Sequence, residues 1–282
     1  ILDGLPLGET FDWVENVSIN LTTQMLATLF DFPFEERRKL TYWSDVAVGT
    51  PEISGGNVTH EERMARLQEC LATFTQIWHE RKDTEGGFDL ISLLQRDPKT
   101  ADMVERPMEY LGNLTLLIVG GNDTTRNSAS GGVVALNQNP AEYDKLRADH
   151  GLVPSMVSEI IRWQTPLAHM RRTAARDTVF KGKQIHKGDK VVMWYLSGNH
   201  DETAIDRADQ FIIDRDNPRK HVSFGFGIHR CMGNRLAEMQ LRILWEEILQ
   251  RFDFVEVVGE PERVRSNFVR GYKKLPVRLH PI

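Results

Sequence analysis

Hydrophobic residues recur at helical spacing over much of the first 164 positions of the chain. Apolar side chains about 3.6 residues apart predict helices over residues 11–30, 35–48, 59–81, 103–136, 141–149 and 154–164. The third helix should begin at Thr59, because Glu62 follows three positions later and completes a capping-box pattern. The longest of these segments carries two adjacent glycines near its middle, which is unusual for a helix interior.

The pattern changes between residues 170 and 193, where apolar and polar residues alternate in short runs. Glycine-containing turns at residues 181–183 and 187–189 separate these runs and predict a small β-sheet. A strongly amphipathic helix is expected over residues 235–252, and strands are expected over residues 254–258 and 275–279. We therefore predict a mainly α fold with a small β region, in a single domain over residues 1–282.

Composition narrows the class of protein. Hydrophobic residues make up 40% of the chain and charged residues 27%, which is typical of a folded domain and excludes a disordered tail or a collagen-like rod. The net charge of −5 does not favour nucleic acid or an anionic membrane surface as a partner. The two cysteines cannot form a disulfide framework, which favours a cytoplasmic location. The apolar runs are too short to predict a membrane span.

The glycine-rich loop from Phe224 to Gly233 carries the sharpest chemical pattern. The loop runs into the amphipathic helix, so Cys231 should lie at a helix N-terminus, where unpaired N–H groups favour a thiolate. Glycines within the loop permit a tight turn and the close approach of a flat ligand. A zinc site needs about four ligands, and the other cysteine, Cys70, fits the core of a predicted helix. A catalytic pair of Cys231 and His229 is the other chemistry that these residues allow.

This loop resembles the haem-binding loop of the cytochromes P450, whose pattern is Phe-Gly-x-Gly-x-His-x-Cys-x-Gly. The resemblance implies a P450 fold and a bound haem b whose iron is held by the Cys231 thiolate, which favours O–O bond cleavage. It also implies that two cationic side chains bind the haem propionates, Arg172 in the segment 170–174 and His229 in the loop. The implied cofactor-binding residues are Cys231, His229, Arg172, Phe224, Gly225 and Gly233.

A second pattern, Gly-Gly-Asn-Asp-Thr-Thr, occupies residues 120–125 in the long helix. The glycines, together with a Thr124 hydroxyl that bonds to a carbonyl one turn earlier, permit a local opening of the helix. A kink at a packing contact would give the same pattern. The segment is similar to the central-helix motif of the P450s, which carries an acid–alcohol pair. That similarity implies that Asp123 and Thr124 deliver protons during O–O bond cleavage.

Glu159 and Arg162 form one of four Glu-x-x-Arg pairs in the chain, and the spacing alone does not distinguish this pair. Their place on the last helix before the β region resembles that of the structural Glu-x-x-Arg of the P450s. The resemblance implies that Arg215 is the third member of the cluster. It also implies that the cluster stabilises the fold and positions the haem loop, without a catalytic role.

Residues 217–237 contain four basic side chains and no acidic one. They are Arg219, Lys220, Arg230 and Arg235. Such a run is usually a solvated surface. Because these cations surround the Cys231 loop, we expect them to form a docking surface for an acidic electron donor, a ferredoxin that is reduced by its reductase.

Family position implies a substrate cavity without charged residues. The implied lining residues are Leu116, Val119, Gly120, Ala168, Met170 and Phe268. Residues 117–128 and 224–237 resemble the bacterial soluble alkane ω-hydroxylase branch. The expected reaction is therefore the insertion of one oxygen atom of O2 into a terminal C–H bond of a medium-chain n-alkane or fatty acyl compound. Terminal hydroxylation of a sterol side chain or a methyl-branched lipid is the alternative.

The chain begins at Ile1, and the resemblance runs from the early middle helices of the family to its C-terminal strands. We therefore expect a truncated piece without the N-terminal third of the family, which on its own binds haem poorly and does not turn over. Two other classes stay open. One is a haem-thiolate sensor or isomerase, which would be expected to lack the acid–alcohol pair. The other is a haem-free interaction protein in which Cys231 is structural.

Overall fold

A computed structural model describes residues 1–48, 59–82 and 86–282 of the chain. The chain forms two compact units. The first comprises Ile1–Arg126, Val258–Arg265 and Tyr272–Leu279, and the second comprises Asn127–Val257, Ser266–Gly271 and His280–Ile282. The single-domain organisation expected from the sequence stays a prediction. Residues 49–51, which the sequence places directly after the second predicted helix, lie outside the described residues.

The described elements are mostly helical, with short strands before, between and after the α-helices, which confirms the predicted fold class. The α-helices are α1 (Ile19–Phe30), α2 (Arg38–Val48), α3 (His60–Arg81), α4 (Leu90–Arg96), α5 (Pro107–Gln138), α6 (Pro140–Ala148), α7 (Val153–Gln164), α8 (Tyr195–Asn199) and α9 (Asn234–Leu249). The strands are β1 (Phe11–Asp12), β2 (His169–Thr173), β3 (Thr178–Phe180), β4 (Lys183–Ile185), β5 (Lys190–Trp194), β6 (Phe252–Val257), β7 (Glu262–Arg263), β8 (Tyr272–Lys274) and β9 (Pro276–Pro281). In the part of the chain that the structure describes, no helix is long and apolar enough to cross a membrane.

The first helix begins later than its hydrophobic pattern predicts. Phe11 and Asp12 form β1, which pairs with β9 in antiparallel register, and a π-helical turn over Val14–Ser18 leads into α1. The Asp12 side chain explains the difference. One of its oxygens accepts the N–H groups of Val14 at 3.0 Å and Leu275 at 2.9 Å, so it both starts the helix and ties it to the C-terminal segment.

The core of the first unit is an aromatic cluster on the facing sides of α1, α2 and α3. Phe30 and Phe74 meet edge to face with ring centroids 5.0 Å apart, and Trp43 is 6.1 Å from Phe74. Such edge-to-face pairs add to the free energy of apolar burial. Cys70 is buried in the same cluster, as the helical pattern predicts.

The two glycines of the long helix do not open it, since α5 is continuous from Pro107 to Gln138. Gly121 instead admits a neighbour, because a Cβ at this position would lie 2.7 Å from Leu26 Cδ2 on α1. The close approach of two helices is therefore the structural reason for a small residue here. The Thr124 hydroxyl donates to the Gly120 carbonyl at 2.9 Å, which agrees with the predicted bond one turn earlier.

The second unit is built on close contacts between helices. A Cβ at Gly131 would lie 2.3 Å from Gln164 Oε1, and one at Gly132 would lie 2.7 Å from Ile160 Cδ1, so the end of α5 approaches α7 closely. Strands β2 and β5 form an antiparallel pair, and β3 and β4 form another. These two pairs are the small β region that the alternating pattern predicts.

Replacing Thr59 by Ala should lower the free energy of unfolding by about 1 kcal/mol, the usual cost of losing a helix N-cap. The Thr59 hydroxyl accepts the Glu62 N–H at 3.1 Å, and the Thr59 N–H donates to the Glu62 carboxylate at 2.8 Å, which lowers the pKa of that carboxyl. Urea unfolding measures the change. The control is Thr73→Ala inside the same helix, where the hydroxyl bonds back to the Glu69 carbonyl and its loss should change stability little. Equal losses in the two variants would contradict the capping role.

Candidate functional site

The loop before α9 folds as a compact turn closed by backbone hydrogen bonds. Gly225 and Gly227 adopt φ values of 65° and 74°, in the left-handed region that favours glycine. The Gly225 N–H donates to the Val222 carbonyl at 2.8 Å, and the Cys231 N–H donates to the Phe224 carbonyl at 2.8 Å. The loop thus brings Phe224, Gly225 and Cys231 together and delivers the cysteine just ahead of the first turn of α9.

Cys231 is an exposed free thiol. Partial desolvation by its neighbours raises the pKa of this thiol above its usual value, although the Gly233 N–H and the Arg230 charge act in the opposite direction. The N–H group at the helix end and the nearby cation thus act in the direction that the sequence predicts, and desolvation outweighs them in the free thiol.

The side chains around Cys231 are unusually apolar for a surface loop. Phe226 is 87% exposed, Ile228 97% and Met232 84%. A Cβ at Gly227 would meet nothing within 4 Å, so the backbone also stays open to an approaching flat molecule. An exposed sulfur surrounded by exposed apolar side chains is the arrangement that a flat apolar ligand with a central metal ion would cover.

The predicted propionate-binding residues lie on the same unit as this loop. Arg172 is exposed on β2, where it pairs in register with Val191, and its guanidinium donates to the Arg171 carbonyl at 3.0 Å. His229 is exposed in the single 3₁₀ turn Gly227–His229 of the loop. Gly233, also expected at this site, is the residue immediately before α9.

Glu159, Arg162 and Arg215 form a buried ion cluster. Arg162 donates through Nε and Nη2 to the two Glu159 oxygens, both at 2.7 Å, and Arg215 Nε lies 3.0 Å from Glu159 Oε2. Arg162 also donates to the carbonyls of Asn199 and Ala208, at 2.6 and 2.9 Å. The structure thus brings together the three residues that the sequence associates, and it joins them to the segment that leads into the Cys231 loop.

On α5, the predicted substrate-lining residues lie on the side of the helix that faces away from the core of the first unit. Leu116 is 70% exposed, Gly120 is exposed and Val119 is half-buried, whereas Leu114 and Ile118 are fully buried. Positions 116 and 120 share one side of the helix because they are four residues apart. This exposed stripe is apolar, and Thr124 continues it by another four residues.

Asp123 is held from a direction that the sequence does not predict. It is buried, and one carboxylate oxygen accepts the Ser44 hydroxyl of α2 at 2.8 Å, while the other contacts Arg126. Arg126 also contacts Asp45 at 3.2 Å. Burial raises the pKa of Asp45 to about 6, although the Arg126 charge lowers it. The acid is therefore bound to α2, while the Thr124 hydroxyl bonds along its own helix.

The other predicted lining residues meet through the backbone in the second unit. The Ala168 N–H donates to the Phe268 carbonyl at 2.9 Å, and the Leu196 N–H donates to the Ala168 carbonyl at 3.1 Å. Ala168 is buried, and the side chains of Phe268 and Met170 are half-buried. The structure thus brings Ala168 and Phe268 together.

The basic cluster of residues 217–237 is partly neutralised by an acidic residue that follows it directly in the sequence. Glu238 on α9 contacts Arg219 at 3.1 Å and Arg235 at 3.4 Å. A groove of about 200 Å³ lies beside these residues, with Val157, Met239 and Arg242 among its lining side chains. Apolar and cationic side chains therefore line the same groove.

The sequence did not predict a role for three polar residues that hold the site residues in place, namely Ser44, Arg126 and Asn199. Each is buried, and each contacts a predicted site residue or the segment before the Cys231 loop. Arg126 follows Asp123 by three residues, which is a spacing that permits a contact on one helix. Ser44 and Asn199 carried no such pattern. Among residues 1–48, 59–82 and 86–282, no cluster of three or more His, Cys, Asp and Glu side chains is placed to hold a metal ion.

Known proteins resemble the whole chain. A family model described as Cytochrome P450 matches residues 59–277. The linalool 8-monooxygenase of Pseudomonas putida is 39% identical over 100% of this chain and 68% of its own length. The steroid C26-monooxygenase of Mycolicibacterium smegmatis is 32% identical over 96% of this chain and 67% of its own length. The solved cytochrome P450-153 from Novosphingobium aromaticivorans is 50% identical with a TM-score of 0.89, over 99% of this chain and 67% of that one. The chain thus spans about two thirds of the length of these relatives and belongs to the cytochrome P450 family, a family of haem-thiolate monooxygenases.

Proposed function

We propose that this chain carries the oxygen-insertion site of a monooxygenase that hydroxylates a terminal C–H bond of a medium-chain n-alkane or fatty acyl compound. The observation that carries this proposal is the apolar stripe of exposed Leu116 and Gly120 with half-buried Val119, which ends at the Thr124 hydroxyl. Covering such a stripe with a hydrocarbon gains about 25 cal/mol per Å² of buried apolar area. A charged substrate would instead lose its hydration there without a partner.

Cys231 is the thiolate ligand in this proposal. Its exposure among Phe226, Ile228 and Met232 fits a flat, largely apolar cofactor that covers the sulfur. Cys70 does not fit, because it is buried and its pKa is raised to about 12. Metal coordination deprotonates a cysteine even where desolvation raises its pKa. When bound, haem b with its cysteine thiolate activates O2 for the insertion of one oxygen atom into a C–H bond.

Arg172 and His229 orient the cofactor in this proposal. Both are exposed, and an arginine fork binds a carboxylate through two parallel hydrogen bonds. Phe224 and Gly225 keep the loop in the shape that exposes Cys231, because the Phe224 carbonyl accepts the Cys231 N–H and Gly225 adopts a positive φ. Gly233 connects the cysteine to α9. The ion cluster of Glu159, Arg162 and Arg215 supports the segment that leads into this loop.

Thr124 and Asp123 supply protons in this proposal, by way of the Thr124 hydroxyl on the exposed stripe. Asp123 serves as the buried acid, and Ser44 and Arg126 fix its carboxylate. To deliver a proton, Asp123 must first take one up, and its carboxyl group must either leave Ser44 and Arg126 or pass the proton on through them. A buried acid supplies protons without admitting bulk water to an apolar site.

A sterol side chain or a methyl-branched lipid is the second candidate substrate. The name of the relative from Mycolicibacterium smegmatis, a steroid C26-monooxygenase, favours it. The name of the relative from Pseudomonas putida, a linalool 8-monooxygenase, points to a third apolar molecule, a branched terpenoid alcohol. All of these substrates are mainly hydrocarbon, so the apolar stripe is compatible with each of them, and binding measurements separate them.

Titration of the haem-loaded protein with n-alkanes, fatty acids, sterols and linalool should give a saturable spin-state shift for the first two groups at the lowest concentrations. Leu116→Glu should weaken the binding of the alkane at least about tenfold, because it places a carboxylate in the apolar stripe. The matched control is Leu93→Glu, which changes another exposed leucine on α4. Tighter binding of sterols than of alkanes, or equal effects of the two variants, would overturn the substrate assignment.

Thr124→Ala should leave haem binding unchanged while uncoupling electron consumption from product formation, so that peroxide is released. The physical reason is the loss of the one hydroxyl that the exposed stripe presents beside Gly120. Thr115→Ala is the control, since residue 115 lies nine positions earlier, on the opposite side of the same helix. Product yield per electron measures the change. Intact coupling in Thr124→Ala would show that the assigned proton path is wrong and would favour a protein that is not an oxygenase.

We also propose that the basic cluster docks an acidic ferredoxin, which a ferredoxin reductase supplies with electrons. The groove is lined by Val157 and Met239 together with arginines, which suits an acidic partner that also presents apolar side chains. Glu238 tempers the charge of Arg219 and Arg235 without changing its sign, because two arginines share one carboxylate. A cytoplasmic location fits such a donor and the two free thiols.

Reversing the charges of Arg219 and Lys220 to Glu should slow ferredoxin-dependent reduction by about tenfold at low salt and flatten its salt dependence, because electrostatic attraction accelerates association. Stopped-flow reduction at several ionic strengths measures both effects. The control is the same double reversal at Lys181 and Lys183, which changes the net charge equally on the hairpin formed by β3 and β4. Equal slowing in both variants would point to net charge alone and would count against a docking surface.

A further inference from the structure

We infer that Asn199 is the positioning residue that sets the conformation of the Cys231 loop. Asn199 ends α8 and is fully buried. It lies 32 residues before Cys231 in a segment without chemical pattern, and the assigned roles at the site do not include it. This inference rests on the proposed role of Cys231 as the haem ligand.

The side-chain amide of Asn199 joins two separate segments. Its oxygen accepts the Val222 N–H at 2.8 Å, and its nitrogen donates to Ser223 Oγ at 2.8 Å and to Thr165 Oγ1 at 2.9 Å. Ser223 Oγ donates in turn to the Ile161 carbonyl at 2.8 Å. The amide therefore ties the two residues that precede the loop to the end of α7.

The same residue is anchored on its other side. Arg162 Nη1 donates to the Asn199 carbonyl at 2.6 Å, so the backbone of Asn199 is held by the buried ion cluster while its side chain holds the loop. Asn199 is thus a link between the cluster of Glu159 and Arg162 and the start of the loop. The ion cluster makes none of these hydrogen bonds to Cys231 itself. It can still fix the position of the cysteine through Asn199.

The hydrogen bonds continue from Val222 to the cysteine itself. The Val222 carbonyl accepts the Gly225 N–H, which closes the turn that gives Gly225 its positive φ. The Phe224 carbonyl then accepts the Cys231 N–H at 2.8 Å. A shift of Val222 would therefore move the acceptor that holds the cysteine backbone.

The chemistry of the position requires an amide. Val222 needs an acceptor, and Thr165 and Ser223 present oxygens that receive donors, so one side chain must offer both functions at full burial. Aspartate keeps only the acceptor and introduces a buried charge, and alanine leaves buried groups without partners. These substitutions therefore separate the contact to Val222 from the contacts to the two hydroxyls.

The test measures thiolate ligation in the haem-loaded protein, as the fraction of its ferrous–CO complex that shows the red-shifted band of a cysteine thiolate. Asn199→Ala should lower that fraction at least about twofold, and Asn199→Asp and Ser223→Ala should lower it less. Amide hydrogen exchange of the cofactor-free chain gives a second readout. The Val222 and Cys231 N–H groups should exchange about fivefold faster in Asn199→Ala, which is the change expected from losing one buried hydrogen bond.

Asn137→Ala is the matched control. Its amide also bridges two elements, bonding to the Val133 and Val255 carbonyls and to the Val257 N–H, but it does so between α5 and β6. This variant should lose thermal stability without losing thiolate ligation. An unchanged thiolate fraction in Asn199→Ala, or an equal loss in Asn137→Ala, would overturn the inference. If Asn199→Ala does not fold, an unchanged thiolate fraction in Ser223→Ala overturns the inference. If the unsubstituted protein itself shows no thiolate band, the role of Cys231 is refuted instead.

Discussion

The buried ion cluster of Glu159, Arg162 and Arg215 is the interaction on which the arrangement of the second unit depends. Burying three charges costs hydration, and the cluster offsets this cost because each charged group finds several short hydrogen bonds. Glu159 also accepts the Ile212 N–H, and Arg162 and Arg215 both donate to the Gln210 carbonyl. The cluster thus organises an irregular segment that has few backbone hydrogen bonds of its own. Removing Glu159 would leave two buried arginines without their carboxylate, and an unpaired buried charge typically costs about 3–5 kcal/mol.

The sequence predicts those features whose residues lie close together along the chain. Gly225, Gly227 and Cys231 fall within seven positions, so their pattern carries both the turn and the exposed sulfur. The capping box at Thr59 is equally local. Such features depend on a few neighbouring backbone conformations and not on the rest of the fold. The start of α1 was misplaced because Asp12 takes its second hydrogen bond from Leu275, which is 263 residues away.

The residues that escape prediction are buried polar groups with distant partners. Ser44 contacts Asp123 across 79 positions, and Asn199 contacts Val222 across 23. A serine or an asparagine in a sequence is more often a surface or turn residue, and burial becomes visible only in the fold. Both residues share a purpose, since each holds a group whose own chemistry the sequence does reveal. The sequence therefore predicts the residues proposed to react more readily than the residues that position them.

Holding a reactive group in a fixed place has a physical cost that shows in both units. The Ser44 hydroxyl and the Arg126 guanidinium each bind one carboxylate oxygen of Asp123, which ties this side chain to α2 and to the next turn of its own helix. Desolvation at Cys231 makes the free thiol a poorer nucleophile, because it raises the pKa. Under the proposed function both groups therefore change partner, Asp123 by leaving Ser44 or Arg126 and Cys231 by binding a metal ion.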